Sequence, residues 1–280
     1  MSAPQIVETI AALRTRLAAA RGARIGLVPT MGALHEGHLS LVRETRKRAD
    51  TVVVSIFVNP AQFAPHEDFD RYPRTLEADA GKLAAAGGTD LIFAPPVGEM
   101  YPRGYATTIE VGGPSRGLET DFRPHFFAGV ATIVTKLLLA VMPDMATFGE
   151  KDYQQLLVVR RLAADLGLAT EIVGAAIIRE SDGLAMSSRN AYLTPDERRI
   201  AGQMNVVLKR LAAKLRNGEP IAVAEADGRR VLLNAGFASV DYVAVRDTKT
   251  LEALTSLDRP ARILAAAKVG GTRLIDNMAV

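Results

Sequence analysis

The continuous apolar run Thr51-Val52-Val53-Val54-Ser55-Ile56-Phe57-Val58 most constrains what this chain folds into. It does not alternate polar with apolar residues, so it reads as a strand buried on both faces, the signature of a parallel sheet covered by helices. It stops at Asn59-Pro60, a turn signal. Shorter runs of the same kind are Ile25 to Val28, Asp90 to Ala94 ahead of Pro95-Pro96, Met145 to Phe148, and Glu171 to Ile178. Helical spacing fills the gaps: Leu76, Ala80 and Leu83, then Val130 to Leu139 and Tyr153 to Leu166, with Ile6, Ile10, Leu13 and Leu17 marking an opening helix.

Strands alternating with helices predict an α/β fold, a Rossmann-like doubly wound parallel sheet with ligands outside the carboxyl ends of its strands. After Arg179 the pattern changes. Thr194-Pro195-Asp196-Glu197 combines an N-cap, a Pro at N1 and an N3 carboxylate, a clean helix start. Ile200, Met204, Val207, Leu208, Leu211 and Leu215 follow as an apolar stripe, stopped at Asn217-Gly218 and reading as core. Strand-like Val240 to Val245, Arg262 to Ala267 and Arg273 to Ile275 complete a smaller α+β domain. The expected division is 1–178, a nucleotide-binding domain, and 179–280, a lid-like domain.

Composition narrows the function classes. There are no cysteines, so neither disulfides nor thiol chemistry are available. No apolar run approaches the ~18–20 residues of a membrane span, and the N-terminus lacks a signal-peptide core; the expected location is the cytoplasm. The net charge is only +3. The one basic cluster, Arg43 with Arg46-Lys47-Arg48, falls on a predicted helix and reads as a solvated face rather than a nucleic-acid contact. Anionic small molecules are the expected partners, not nucleic acid or membrane.

The chemistry concentrates at the strand ends. Pro29 to Leu39 reads Pro-Thr-Met-Gly-Ala-Leu-His-Glu-Gly-His-Leu, with two of the chain's four histidines, His35 and His38, in one four-residue window. Strand, Gly-containing loop and helix start offer unpaired backbone N–H groups and a positive dipole end to an anion. Two imidazoles there suit phosphoryl or nucleotidyl transfer. Ordinary structural histidines and a metal clip are the rival readings; the clip wants further ligands, and His66 and His125 lie far off in sequence. Three more segments fall at strand ends or just past the domain junction: Asn59 to Phe63, Phe148 to Gln155, and Met186 to Asn190. Lys151 can neutralise phosphate and Asp152 can accept from ribose hydroxyls. Ser187, Ser188 and Arg189 suit a departing pyrophosphate, and the amides Gln62 and Gln155 hold polar groups without adding charge.

In these residues the chain resembles the pantoate–β-alanine ligase family, within the nucleotidyltransferases marked by His-x-Gly-His. Val28 to His38, Ser55 to Pro60 with Gln62-Phe63, Tyr72 to Thr75, Phe148 to Gln155, and Asp182 to Asn190 carry the resemblance over nearly the whole chain. It implies a ligase of pantothenate and coenzyme A biosynthesis. ATP and pantoate give pantoyl adenylate and pyrophosphate with Mg2+, and β-alanine then displaces AMP. By position it implies ATP contacts at Met31, Gly32, Ala33, Leu34, His35, Glu36, Gly37, His38, Gly149, Glu150, Lys151, Asp152, Ile178, Met186, Ser187, Ser188 and Arg189. His38 is implied as proton donor, with His35, Lys151 and Arg189 beside it in catalysis. Gln62 is implied for pantoate and β-alanine, Gln155 for pantoate, Asp79 near the metal, and a homodimer as the assembly. One departure stands out. Where many members read Arg-Pro-Gly-His-Phe, this chain has Arg123-Pro124-His125-Phe126-Phe127. The nearest rival is another adenylyl- or cytidylyltransferase of the same superfamily that stops at the nucleotidyl product. A class I aminoacyl-tRNA synthetase shares the His motif, but 280 residues leave it little room, and a rival of a different class is a non-catalytic nucleotide-binding regulator.

Overall fold

The Val-rich run forms the strand β3 (Thr51–Ile56) near the middle of a six-stranded sheet, and Val52, Val53 and Val54 are wholly buried. In this computed structural model, which describes residues 3–20, 22–65 and 67–280, the chain divides into two compact units. One comprises residues 1–150 with 158–176, the other 151–157 with 177–280. The sequence places 151–157 inside the first domain. By its packing that segment belongs to the second unit.

The larger unit begins with β1 (Gln5–Val7) and α1 (Ile10–Ala18), followed by β2 (Ile25–Thr30), α2 (Glu36–Arg46) and β3. Next come α3 (Leu76–Ala86), β4 (Leu91–Phe93), the short helices α4 (Val97–Met100) and α5 (Glu119–Phe122), and α6 (Phe126–Val141). β5 (Met145–Gly149), the part of α7 (Tyr153–Asp165) from Val158 onward, and β6 (Glu171–Ala175) complete the unit. Ile6 therefore lies in an edge strand paired with β4, not in the opening helix, which starts only at Ile10 behind the Thr9 cap. Sheet order is β1-β4-β3-β2-β5-β6, and all pairs are parallel. Val28, Val52, Val54, Ile92 and Met145 share a core with Leu41 and Val42 of α2 and Leu83 of α3. Their alternating neighbours Leu27 and Val53 are equally buried, with α6 packed on β2. Both faces are covered, as a parallel sheet requires. The chain winds outward from β2 through β3 to β4, then restarts on the other side at β5, so the switch point lies between β2 and β5.

On α2 and just past its end, each basic residue of the cluster has an acidic partner: Arg43 with Glu36, Arg46 with Asp90, Lys47 with Glu44, Arg48 with Glu171. Those are the pairings of a solvated surface.

In the smaller unit, α8 (Pro195–Arg216) begins at Thr194, whose hydroxyl accepts the Glu197 N–H while the Glu197 carboxylate accepts the Thr194 N–H. α9 (Ile221–Asn234) packs beside it. The antiparallel sheet β7 (Ser239–Asp247), β8 (Ala261–Val269) and β9 (Thr272–Ala279) lies against them. Leu208, Leu211, Leu232, Ile263 and Ala267 are at most 1% exposed in this core, so truncating Leu211 to Ala costs about 2–5 kcal/mol.

Candidate active site

Two loops leave the sheet at its switch point. The first follows β2. Thr30 turns its hydroxyl inward to donate to the Ser55 carbonyl at 2.7 Å, and Gly32 and Ala33 then both take positive φ, +86° and +50°. Glycine enters this region freely, whereas alanine there costs roughly 1–2 kcal/mol. A buried carboxylate opposes that cost. Asp79 of α3 accepts the Ala33 N–H on Oδ2 and the Leu34 N–H on Oδ1, each at 2.8 Å, and the Thr75 hydroxyl at 3.0 Å. Lys82, one turn on, donates to the Leu34 carbonyl at 2.6 Å.

The loop delivers His35 as the N-cap of α2. Its Nδ1 accepts the Gly37 N–H at 3.2 Å, and His38 Nδ1 accepts the His35 N–H at 3.3 Å. The rings lie 4.1 Å apart, tilted by 38°. Because each Nδ1 is an acceptor, each ring when neutral carries its proton on Nε2.

The turn after β3 carries Gln62. Asn59, 1% exposed, fixes it: its Oδ1 accepts from the Tyr101 hydroxyl at 2.7 Å and the Ala61 N–H at 3.3 Å. Its Nδ2 donates to the Gly129 carbonyl and to Gln62 Oε1, both at 3.1 Å. Gln62 Nε2 in turn reaches Met31 Sδ at 2.9 Å, joining this turn to the histidine loop. Burial, then the neighbouring Tyr105, push the Tyr101 phenol far above its ordinary pKa and keep it a hydrogen-bond donor. Gly129 of α6 lets helix and turn touch, since a Cβ there would lie 2.3 Å from the Ala61 carbonyl oxygen. Arg123 donates to both Glu67 oxygens at 2.6 and 2.7 Å and to the Gln62 carbonyl at 3.2 Å. Its guanidinium lies 3.9 Å from the centroid of Phe126, so the phenylalanine at the departing position acts as a platform for this arginine.

The second switch-point loop leaves β5 at Gly149 and Glu150. A Cβ on Gly149 would meet only Leu41, at 4.0 Å, so its face is uncrowded.

Within the smaller unit, Lys151 has its carbonyl held by Asn277 Nδ2 at 2.9 Å and its ammonium 3.8 Å from Asp152. Tyr153 anchors the same segment: its hydroxyl donates to the Thr248 carbonyl at 2.8 Å and its ring lies under Arg262 at 3.8 Å. Gln155 is half-buried. In the Met186–Arg189 loop, the Met186 N–H returns to the Ile178 carbonyl at 3.0 Å, and Ser187 Oγ accepts the Arg189 N–H at 3.3 Å. Behind it, Arg198 donates to both Asp182 oxygens at 3.0 and 3.2 Å, and Arg179 pairs with the buried Asp276 at 2.6 and 2.9 Å. Burial pushes the Asp182 carboxyl up, but hydrogen bonds from Arg198 and the Leu184 N–H outweigh it and hold the group below the usual carboxylate range.

The structure thus brings together His35 with His38, Met31 with Gln62, and Asp79 with Ala33 and Leu34. The metal role expected for Asp79 does not fit its surroundings. The side chain is 0% exposed and both oxygens are engaged by backbone amides. Among the described residues no three His, Cys, Asp or Glu side chains group as a metal site requires. His66 lies outside the described residues. Sequence reasoning gave no role to Asn59, Tyr101, Tyr153 or Asn277; only Asn59 announced itself, as the Asn of an Asn-Pro turn.

A doubly wound parallel sheet with a His-x-Gly-His loop at its switch point defines a nucleotidyltransferase-type α/β protein. The family model for pantoate-beta-alanine ligase matches residues 5–279. The pantothenate synthetase of Mesorhizobium japonicum is 56% identical over 282 residues, spanning 100% of this chain and 99% of that protein. That of Nitrobacter hamburgensis is 55% identical, over 99% of each. The crystal structure of pantothenate synthetase from Thermus thermophilus superposes with a TM-score of 0.92 at 46% identity, covering 98% of both chains. The Francisella tularensis pantoate-beta-alanine ligase, complexed with beta-gamma ATP and beta-alanine, gives 0.84 at 32% identity over 99% of this chain and 98% of its own. The chain belongs to the pantoate–β-alanine ligase family. It is a ligase of pantothenate biosynthesis. Among the described residues no helix is long and apolar enough to cross a membrane.

Proposed function

We propose that this enzyme joins pantoate to β-alanine in two steps on ATP. A pantoate carboxylate oxygen attacks the α-phosphorus, the bond to pyrophosphate breaks, and pantoyl adenylate forms. The β-alanine amine then attacks the acyl carbon, AMP leaves, and the amine gives up a proton. The observation that carries this reading is the orientation of His35 and His38, whose Nδ1 atoms are turned to the backbone so that their protons lie on Nε2. Attack at phosphorus builds charge on phosphate oxygens, and preorganised donors stabilise it. His38 is the proposed proton donor and His35 its partner, with the backbone of Met31 to Gly37 along the phosphates.

Gly149 to Asp152, Ile178 and Met186 to Arg189 are proposed further ATP contacts. Lys151 and Arg189 are the cations among them. Gln62 is proposed to hold pantoate and β-alanine, and Gln155 to hold pantoate. The magnesium implied by the resemblance is placed on the ATP phosphates, its usual mode of delivery, with Asp79 outside its shell. A cytoplasmic homodimer completes the proposal. Sedimentation equilibrium tests that assembly, and a monomer at micromolar concentration would contradict it.

The decisive measurement is ATP–pyrophosphate exchange without β-alanine. Exchange that requires pantoate, followed by AMP release on adding β-alanine, supports the reading. Exchange indifferent to pantoate overturns it.

A further inference from the structure

We propose that Asp79 is a positioning residue: a buried carboxylate that holds the backbone of the histidine loop in the shape the phosphates need. The inference rests on the reading above in taking that loop as the phosphate site.

Three observations point the same way. The carboxylate has no exposed surface, so ionised it needs donors from every side. Its donors are two consecutive loop amides and the Thr75 hydroxyl, while the nearest cation, Lys82, stands 3.9 Å off and gives its short hydrogen bond to the Leu34 carbonyl instead. The loop is also closed down onto the carboxylate: a Cβ on Gly32 would sit 3.2 Å from Asp79 Oδ2. The residue whose amide Oδ2 accepts, Ala33, is a non-glycine residue at φ +50°. The Ala33 conformation is unfavourable on its own and is the conformation the hydrogen bond rewards. Released from Asp79, Ala33 would relax toward negative φ and carry His35, the helix cap, out of register with His38. A metal ligand would instead have an oxygen directed at solvent or at substrate.

The test separates the two roles. Asp79→Asn keeps the shape but gives one of the two amides a donor to face. It is expected to lower pantoate-dependent exchange by about 10²-fold, the scale on which misplaced catalytic groups act. It should weaken binding of ATP in EDTA by the same factor as binding of ATP with magnesium. Glycine at 33 removes the left-handed penalty, so Asp79→Asn with Ala33→Gly should recover roughly fivefold over Asp79→Asn alone. In 15N-labelled protein without nucleotide, the amide resonances of residues 33 and 34 should shift in Asp79→Asn and exchange faster with solvent.

A loss confined to the magnesium-dependent part of binding, with no rescue and unmoved amides, overturns the proposal in favour of metal ligation. If Asp79→Asn does not fold, Thr75→Val removes one donor to Oδ2 and should move the Ala33 amide with a smaller loss of exchange; an unmoved amide there also overturns it. Failure of the wild-type protein to exchange would refute the proposed reaction, while the amide signals would still decide the role of Asp79.

Discussion

The two loops proposed to hold ATP are braced by opposite means. The histidine loop is gripped by a carboxylate with no exposed surface, acting on backbone amides. The Met186–Arg189 loop is backed by the cluster Arg198, Asp182 and Glu180, whose side chains are 31%, 40% and 32% exposed, with Arg179 beside them 22% exposed and its partner Asp276 buried. A dry clamp fixes shape and is indifferent to salt. Half-solvated ion pairs contribute about 0–1 kcal/mol each and weaken with ionic strength. The first loop is therefore built to be rigid before substrate arrives. The second is built to yield.

The largest effect that would break this contrast is His38→Ala. It is expected to lower turnover by roughly 10²–10⁴ with the thermal midpoint nearly unchanged; full turnover would remove His38 from the chemistry and with it the need for a rigid loop. Next is Gly129→Ala. Its methyl must displace the Ala61 carbonyl and so the Gln62 turn, and kcat/KM for pantoate should fall by roughly 10–10²-fold with KM for ATP little changed. Arg198→Met, on the soft side, should raise KM for ATP by only about two- to fivefold. Adding about 0.5 M NaCl to the wild type should reproduce most of that change, and a salt-insensitive KM would show the second loop to be as rigid as the first.

The smallest effect is a pH dependence. Asp182 has its folded pKa lowered, so its contribution to stability is full above the unfolded value of about 4 and is lost as pH falls through the folded value. Urea titrations between pH 5 and 3 should show a shallower loss of stability in Arg198→Met than in wild type. Identical slopes would mean that this pair stabilises nothing.

Much of this architecture was legible. The Val-rich run announced a doubly covered parallel sheet, and Thr194 to Glu197 announced the start of α8, because local patterning and capping chemistry agree with the fold there. The first strand was not, since Ile6 falls in helical spacing with Ile10, Leu13 and Leu17 and only its distant pairing with β4 makes it a strand. α9 escaped as well. Gly228 interrupts its pattern for a reason visible only in three dimensions: a Cβ there would lie 2.5 Å from Leu211 and 3.0 Å from Val243. For the site, candidate residues could be picked out by side-chain type and spacing, as His35, His38 and Gln62 were. Those that act on backbone could not. Asp79 looks the same in sequence whether it faces a cation or two amides, and Tyr101 reaches Asn59 across 42 residues.

The Asp79 grip has a consequence for which substitutions the loop tolerates. The carboxylate reads N–H groups, so it is blind to the side chains at 33 and 34. Proline, which has no N–H to give, is the one residue the hydrogen bonds themselves forbid at those positions. The left-handed turn at 33 adds a bias against β-branched residues. A library randomised at 33 should therefore return a mixture enriched in glycine and depleted in proline and β-branched residues, one randomised at 34 should return large apolar residues because Leu34 is 2% exposed in the core, and one randomised at 79 should return aspartate almost alone.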